Sequence, residues 1–160
     1  MNELINRLNG WADAFARGLD WLNPAFLLVL RVYVAIVFFN SGLTKIMDFS
    51  STIALFENEY MVPFLSPTLA AYSGTAAELV LPALFLLGFV SRPTALAFFA
   101  FNLVAAVSYP DISPAGVKDH MLWGTMMLVV LFFGPGRFAV DHYFKARATR
   151  LRMSDPVRER

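Results

Sequence analysis

Apolar residues gather in four blocks, 24–43, 68–90, 93–109 and about 120–139, separated by short stretches that hold nearly all the charge. A helix needs about 20 residues to cross a hydrocarbon core of about 30 Å, and the first two blocks are long enough outright. The third has 17 residues and the fourth only 14 between His120 and the turn Gly134-Pro135-Gly136. These two are therefore expected to begin earlier, to run past the glycines, or to cross where the bilayer is thinned. Ser91-Arg92-Pro93 reads as a tight turn whose proline suits the first turn of the next helix. The pattern predicts an all-α integral membrane four-helix bundle.

Ahead of the first block, Leu4, Leu8, Trp11, Phe15, Leu19 and Leu22 recur every three or four positions, with Asn6, Arg7, Asp13, Arg17 and Asp20 elsewhere on the helix. Residues 1–23 thus read as an amphipathic helix in the membrane interface, where two tryptophans are well placed. The alternative is a soluble helix packed on the loops. Acids and bases are mixed through this segment and no long uncharged run precedes an Ala-x-Ala site, so no cleavable signal peptide is expected. The organisation is an amphipathic segment at 1–23, a membrane domain at 24–144 and a basic tail at 145–160 that frays from a short helix. Within the membrane domain, the connection 45–67 is predicted to hold a short helix capped by Ser50 or Ser51 and reaching Tyr60. Met61-Val62-Pro63-Phe64-Leu65 follows, and the whole is expected to lie over the mouth of the bundle as a lid.

Composition supports this picture. The chain is 58% hydrophobic and 16% charged, against about 45–50% and 25% for soluble domains, and its mean hydropathy is +0.56. A hairpin buried in a soluble protein fails because no polar helices remain to cover it. The tail carries six Lys/Arg against two acids. With both termini on one side, that side holds Arg7, Arg17, Arg92, Arg137 and the tail, while the other holds Lys45 and Lys118. This predicts N-in, C-in with four spans in a bacterial inner membrane. A net charge of +1 without a basic groove excludes nucleic acid as a partner. The expected partners are the lipid bilayer and a protein in a membrane complex, with homo-oligomerisation open. Zero cysteines remove disulfides, thiolate zinc and iron–sulfur chemistry.

Ionisable groups inside apolar helices are costly unless paired and are the first candidates for function. Arg31 and Glu78 fall at similar depths when counted from Leu43 and Thr68, so an ion pair between adjacent antiparallel helices is expected, either as a register device or as a ligand or proton site. Asn102 falls near the same depth, to satisfy that pair or to join helices by a hydrogen bond. Helical spacing places Arg31, Ala35, Phe38, Gly42 and Lys45 on one face. A second polar cluster is expected at the mouth from Lys45, Asn40, Tyr109, Lys118, Asp119, His120 and Trp123. It is either a ligand site or an interfacial belt of aromatic and snorkelling side chains. No metal site is expected, because His142 lies at the opposite end from His120.

Four runs in this order resemble the DoxX family of small bacterial four-span proteins. They are Arg31 with Phe38-Phe39-Asn40-Ser41-Gly42-Leu43-Thr44-Lys45, then Val62-Pro63, then Glu78 with Leu86-Leu87-Gly88-Phe89-Val90-Ser91-Arg92, then Gly134-Pro135-Gly136-Arg137-Phe138-Ala139-Val140-Asp141. Ala139 departs from the serine usual in the closing motif, and His120 stands near a position that is often acidic in relatives. The resemblance implies the membrane fold. It also implies a role as a membrane anchor or assembly subunit for a partner enzyme, or as a quinone- or small-ligand-binding subunit of an oxidoreductase complex. On this expectation the chain is not an enzyme by itself and holds no covalently bound cofactor, and quinone is the candidate diffusible one.

Overall fold

The computed structural model describes residues 2–153. Within them the elements are α1 (Asn2–Met47), α2 (Phe49–Asn58), α3 (Pro67–Leu87), α4 (Ser91–Val107), α5 (Pro114–Phe133) and α6 (Val140–Met153), with no strand among the described residues. The starts of α3 and α5 share one local device. Ser66 and Ser113 accept from the backbone N–H of Leu69 and Gly116, and proline occupies the following first turn. The end of α3 is set by Gly88, whose left-handed φ of 67° lets its N–H reach back to the carbonyls of Leu84 and Phe85.

The fourth apolar block is shifted from its expected place. Its helix, α5, begins at Pro114 rather than His120, because Ser113-Pro114 supplies a stronger start, and it stops at Phe133, before the Gly-Pro-Gly turn. The lid helix α2 is likewise capped two to three residues earlier than expected, by Asp48 instead of Ser50 or Ser51.

The predicted amphipathic segment is helical, but it is continuous with the first apolar block. The 46 residues of α1 run through Pro24 without a break, a length of about 69 Å. Pro24 removes only one hydrogen bond of the helix, and Gly136 lets the closing turn lie against it, since a Cβ there would come 3.4 Å from the Pro24 Cα. Leu4, Leu8, Trp11, Phe15, Leu19 and Leu22 remain more than half exposed, so no other described element covers the stripe.

Beyond Pro24 the predicted face turns inward: Leu27, Leu30, Arg31, Val34, Ala35 and Phe38 are buried. α1 packs on α3 and α5, and α4 packs on both of these in turn, while α2 lies on α3 and on the end of α1. The centre is formed by Val34, Phe38, Phe85, Ala95, Phe98, Met127 and Val130. Phe98 meets Phe38 and Phe85 edge-on, with centroids 4.8 and 5.5 Å away. Glycines allow close approach. A Cβ on Gly42 would lie 2.9 Å from Leu79 and 3.1 Å from the Glu78 Cβ, and one on Gly124 would lie 3.2 Å from Asn102 and Phe99.

The outward face is apolar as well, with Val29, Ile36, Val80, Leu96, Val107 and Phe132 exposed. That arrangement is stable in lipid and costly in water. α1, α3 and α5 are long and apolar enough to cross a membrane, and α4 is a shorter apolar helix of 17 residues.

Candidate functional site

The lid is built from short-range hydrogen bonds and then tied across the fold. The Asp48 carboxylate accepts from the Ser51 side chain and N–H and from Ser50. These bonds, those of Ser51 first, hold its pKa at about 2. Buried Thr52 donates to the carbonyls of Lys45 and Asp48 and so fixes the angle between α1 and α2. At the far side of the lid, the Met61 N–H donates to the Ser108 carbonyl at 2.7 Å, joining it to the end of α4. The Tyr60 ring lies 4.8 Å from Phe56 and 5.3 Å from Tyr109. Burial, followed by the Glu78 and Tyr109 charges, raises the Tyr60 pKa, so its hydroxyl is a neutral donor.

Beneath the lid is a cavity of about 560 Å³ enclosed by α1, α2, α3, α4 and α5. Its apolar wall includes Phe38, Phe56, Val62 and Phe101, and its polar groups are few and convergent. Lys45 Nζ lies 2.6 and 2.8 Å from the two Glu78 carboxylate oxygens and donates to Ser41 at 2.9 Å. Both charged side chains are about nine-tenths covered. Across the cavity, His120 Nδ1 is 2.8 Å from Asn102 Oδ1, and Asn102 Nδ2 donates to the His120 carbonyl at 3.0 Å. With its amide nitrogen used in this way, Asn102 offers only an acceptor to the ring. In the neutral ring the proton therefore sits on Nδ1 and Nε2 is left as an acceptor. Trp123 packs at 4.9 Å from His120 and 5.3 Å from Phe38. Ser108 and Trp123 line the cavity, and their Oγ and Nε1 atoms are buried with no hydrogen-bond partner among the described residues.

Of the residues singled out by sequence, Lys45, Glu78, Tyr109, His120 and Trp123 meet in this cavity, and Asn102 supports it from behind. The expected Arg31–Glu78 pair does not form. Gly42 lies against Glu78, and Arg31 is eleven residues earlier, about 16 Å along α1. The depths were counted from Leu43 and Thr68, whereas α1 continues to Met47. That extension lets Lys45 reach back to Glu78. Asn102 accordingly serves His120 instead of an Arg31–Glu78 pair. Asn40, Lys118 and Asp119 are exposed and do not line the cavity. Sequence reasoning placed Tyr60 in the lid without assigning it to the site, and it missed Ser41 and Ser108 as site residues. Ser41 had a signal, being one turn before Lys45 on the same face, while an isolated serine such as Ser108 carries none.

Arg31 belongs to a second constellation at the opposite end. Fully buried, its Nη1 donates to the Leu86 carbonyl at 2.9 Å and its Nη2 to the Phe138 carbonyl at 2.5 Å. It thus satisfies one carbonyl in the last turn of α3, where the helix dipole favours a cation, and one in the turn that precedes α6. Asp141 completes this latch. Its N–H donates to the Gly88 carbonyl, and its carboxylate accepts from the N–H of Val90 and from the N–H and hydroxyl of Ser91, at 2.6 to 2.8 Å. Burial alone would raise the Asp141 pKa, but these hydrogen bonds and Lys145 bring it below the usual value. Two runs far apart in sequence, 86–92 and 134–141, are thereby one structural unit.

A family model described as DoxX matches residues 26–110, the stretch that holds Arg31, Lys45, Glu78, Asn102 and Tyr109. The inner membrane protein YphA of Escherichia coli (strain K12) is 30% identical in an alignment of 130 residues that covers 74% of this chain and 89% of that relative. No solved structure matches the chain.

Proposed function

The chain belongs to the DoxX family, its apolar helices are those of a multi-pass inner-membrane protein, and on that premise we propose that the cavity under the lid binds a small lipophilic carbonyl compound of the quinone class. The observation that carries this reading is a pair of buried donors without a partner among the described residues, Ser108 Oγ and Trp123 Nε1, on residues that line a largely apolar cavity beside the Lys45–Glu78 pair. A buried donor left without a partner costs about 1–3 kcal/mol, so a ligand that offers acceptors to these groups is favoured. A carbonyl oxygen is such an acceptor, and a volume of about 560 Å³ falls within the usual range of about 300–1,000 Å³ for small-molecule sites.

In this reading Phe38, Phe56 and Phe101 flank the ring of the ligand, and Ser108, Trp123 and Tyr60 donate to its oxygens. The Lys45–Glu78 pair places a proton donor and an acceptor at the same wall. A bound quinone would supply electron-accepting capacity. The protein positions it, and a partner enzyme delivers the electrons. The chain crosses the membrane four times with both termini on the Lys/Arg-rich side. Cysteines introduced at Asn58 and at Thr149 should then react with an impermeant label from opposite sides, and labelling of both from one side would overturn this topology.

The binding test is a thermal shift in detergent with a short-chain quinone analogue. The wild type should gain melting temperature, Ser108→Ala with Trp123→Phe should gain much less, and truncation after Phe144 should leave the gain intact. Absence of any shift, together with a soluble protein that co-purifies only when residues 2–23 or the tail are present, would favour the anchor and assembly reading instead. That reading is supported by the uncovered apolar stripe of α1.

A further inference from the structure

At the latch end a second recess, of about 490 Å³, opens between α1, the start of α4, the Gly-Pro-Gly turn and α6. Its lining is unlike that of the cavity under the lid. Arg92 comes from the first turn of α4, Arg137 from the turn and Lys145 from α6, with His142 beside them. Facing them are two carboxylates, Asp20 and Asp141. Asp141 is engaged, because its oxygens already accept three hydrogen bonds at the start of α4. Three cations therefore converge on a space with two carboxylates, one of which, Asp141, already accepts three hydrogen bonds and faces Lys145, which leaves an excess of one positive charge. Like charges gathered in this way repel unless an anion comes between them. The turn leaves room for one, since a Cβ at Gly134 would meet nothing within 4 Å.

The surroundings distinguish a lipid from a soluble anion. Arg92 Nη2 donates to the Phe132 carbonyl at 3.4 Å, so its guanidinium sits at the C-terminal end of α5. There Phe132 and Phe133 are 69% and 78% exposed, and Phe138 of the turn is 60% exposed. Apolar rings thus adjoin a cationic recess at the level where an apolar helix ends, which is the boundary between acyl chains and headgroups. We propose that this recess binds the phosphate of an anionic glycerophospholipid, with Arg92, Arg137 and Lys145 on the headgroup and Phe132 and Phe133 against the chains. Basic pockets at helix ends recognise lipid phosphate by this combination of charge and adjoining apolar surface. The site is separate from the cavity under the lid and does not rest on the quinone reading.

The test compares phosphatidylglycerol, phosphatidylcholine and soluble glycerol 3-phosphate added to the full chain in a neutral detergent. Thermal shift is read against each variant's own baseline, and retained lipid is counted by native mass spectrometry. Phosphatidylglycerol should raise the melting temperature of the wild type and remain bound. The triple variant R92Q/R137Q/K145Q should lose most of that shift, and a control triple, R7Q/R17Q/R147Q, should keep it despite the same loss of charge. All six substituted side chains are exposed, and the single variants R137Q and K145Q serve if the triple fails to fold. Equal loss in both triples would assign the effect to diffuse charge. An equal shift with glycerol 3-phosphate would make this a site for soluble anions. Either result, or no preference for phosphatidylglycerol over phosphatidylcholine, overturns the proposal.

Discussion

The Lys45–Glu78 pair offers the sharpest test of the geometry. Its atoms approach to 2.6 Å and the two side chains are 12% and 11% exposed. Two unit charges about 4 Å apart attract by about 4 kcal/mol at an effective dielectric of 20, and desolvation offsets much of this. Removing one partner leaves the other charge buried, which costs about 3–5 kcal/mol in a dry interior. Because this pair borders a cavity rather than close-packed side chains on every side, a loss at or just below that range is expected, about 2–3 kcal/mol for Lys45→Met or Glu78→Leu. The double variant leaves no stranded charge and should fall within about 1 kcal/mol of the wild type. For a chain of this size each kcal/mol moves the melting temperature by about 2–4 °C. Thermal unfolding in detergent should therefore show two large single losses, a small double loss and a coupling energy of about 2 kcal/mol or more. The parallel cycle of Arg31→Leu with Glu78→Leu should be additive within about 0.5 kcal/mol, since those residues lie in separate constellations. Additive losses for Lys45 and Glu78, or a larger coupling between Arg31 and Glu78, would refute the assignment.

The latch and the lid make further claims. Val90 adopts a left-handed φ of 44°, a strained state for a β-branched residue, so Val90→Gly should be more stable than Val90→Ala by about 1 kcal/mol in the same melting assay. Asp141→Ala frees three donors at the start of α4 and should cost about 1–2 kcal/mol. Gly88→Ala should exceed about 2 kcal/mol, because a Cβ there meets Arg31 and lies 2.6 Å from the Ala139 Cβ at a φ of 67°. In the lid, the native Asp48 pKa of about 2 lies below the unfolded value of about 3.9. Its contribution is therefore present above about pH 4 and lost as pH falls toward 2. Melting curves of the wild type and Asp48→Asn should converge over that window, and a constant gap between them would sink this account.

What the sequence determined by itself was local or set by the solvent. The apolar blocks had to be helices because lipid leaves no other partner for the backbone. Ser-Pro pairs and Gly88 mark helix ends through the residues' own conformational preferences, and the spacing from Arg31 to Lys45 put those side chains on the inward face. Lys45, Tyr109, His120 and Trp123 were legible as a cluster because polar side chains in apolar helices gather at their ends. Partner choice was not legible. A four-residue extension of α1 moves the zero of the depth scale by only about 6 Å, and the offset of α1 along α3, which sets Gly42 against Glu78, supplies the rest of the about 16 Å that parts Arg31 from Glu78. Arg31 found carbonyl partners at the end of α3 and in the final turn, which no charge pattern announces. The cavity exists because the lid, tied to α1 through Thr52 and to the end of α4 by the Met61–Ser108 backbone bond, closes over the other four helices that enclose it. Ser108 and Tyr60 acquire significance only from that closure. Contacts between residues far apart in the chain depend on helix ends, register and side-chain reach together, and only the packed structure decides all three at once.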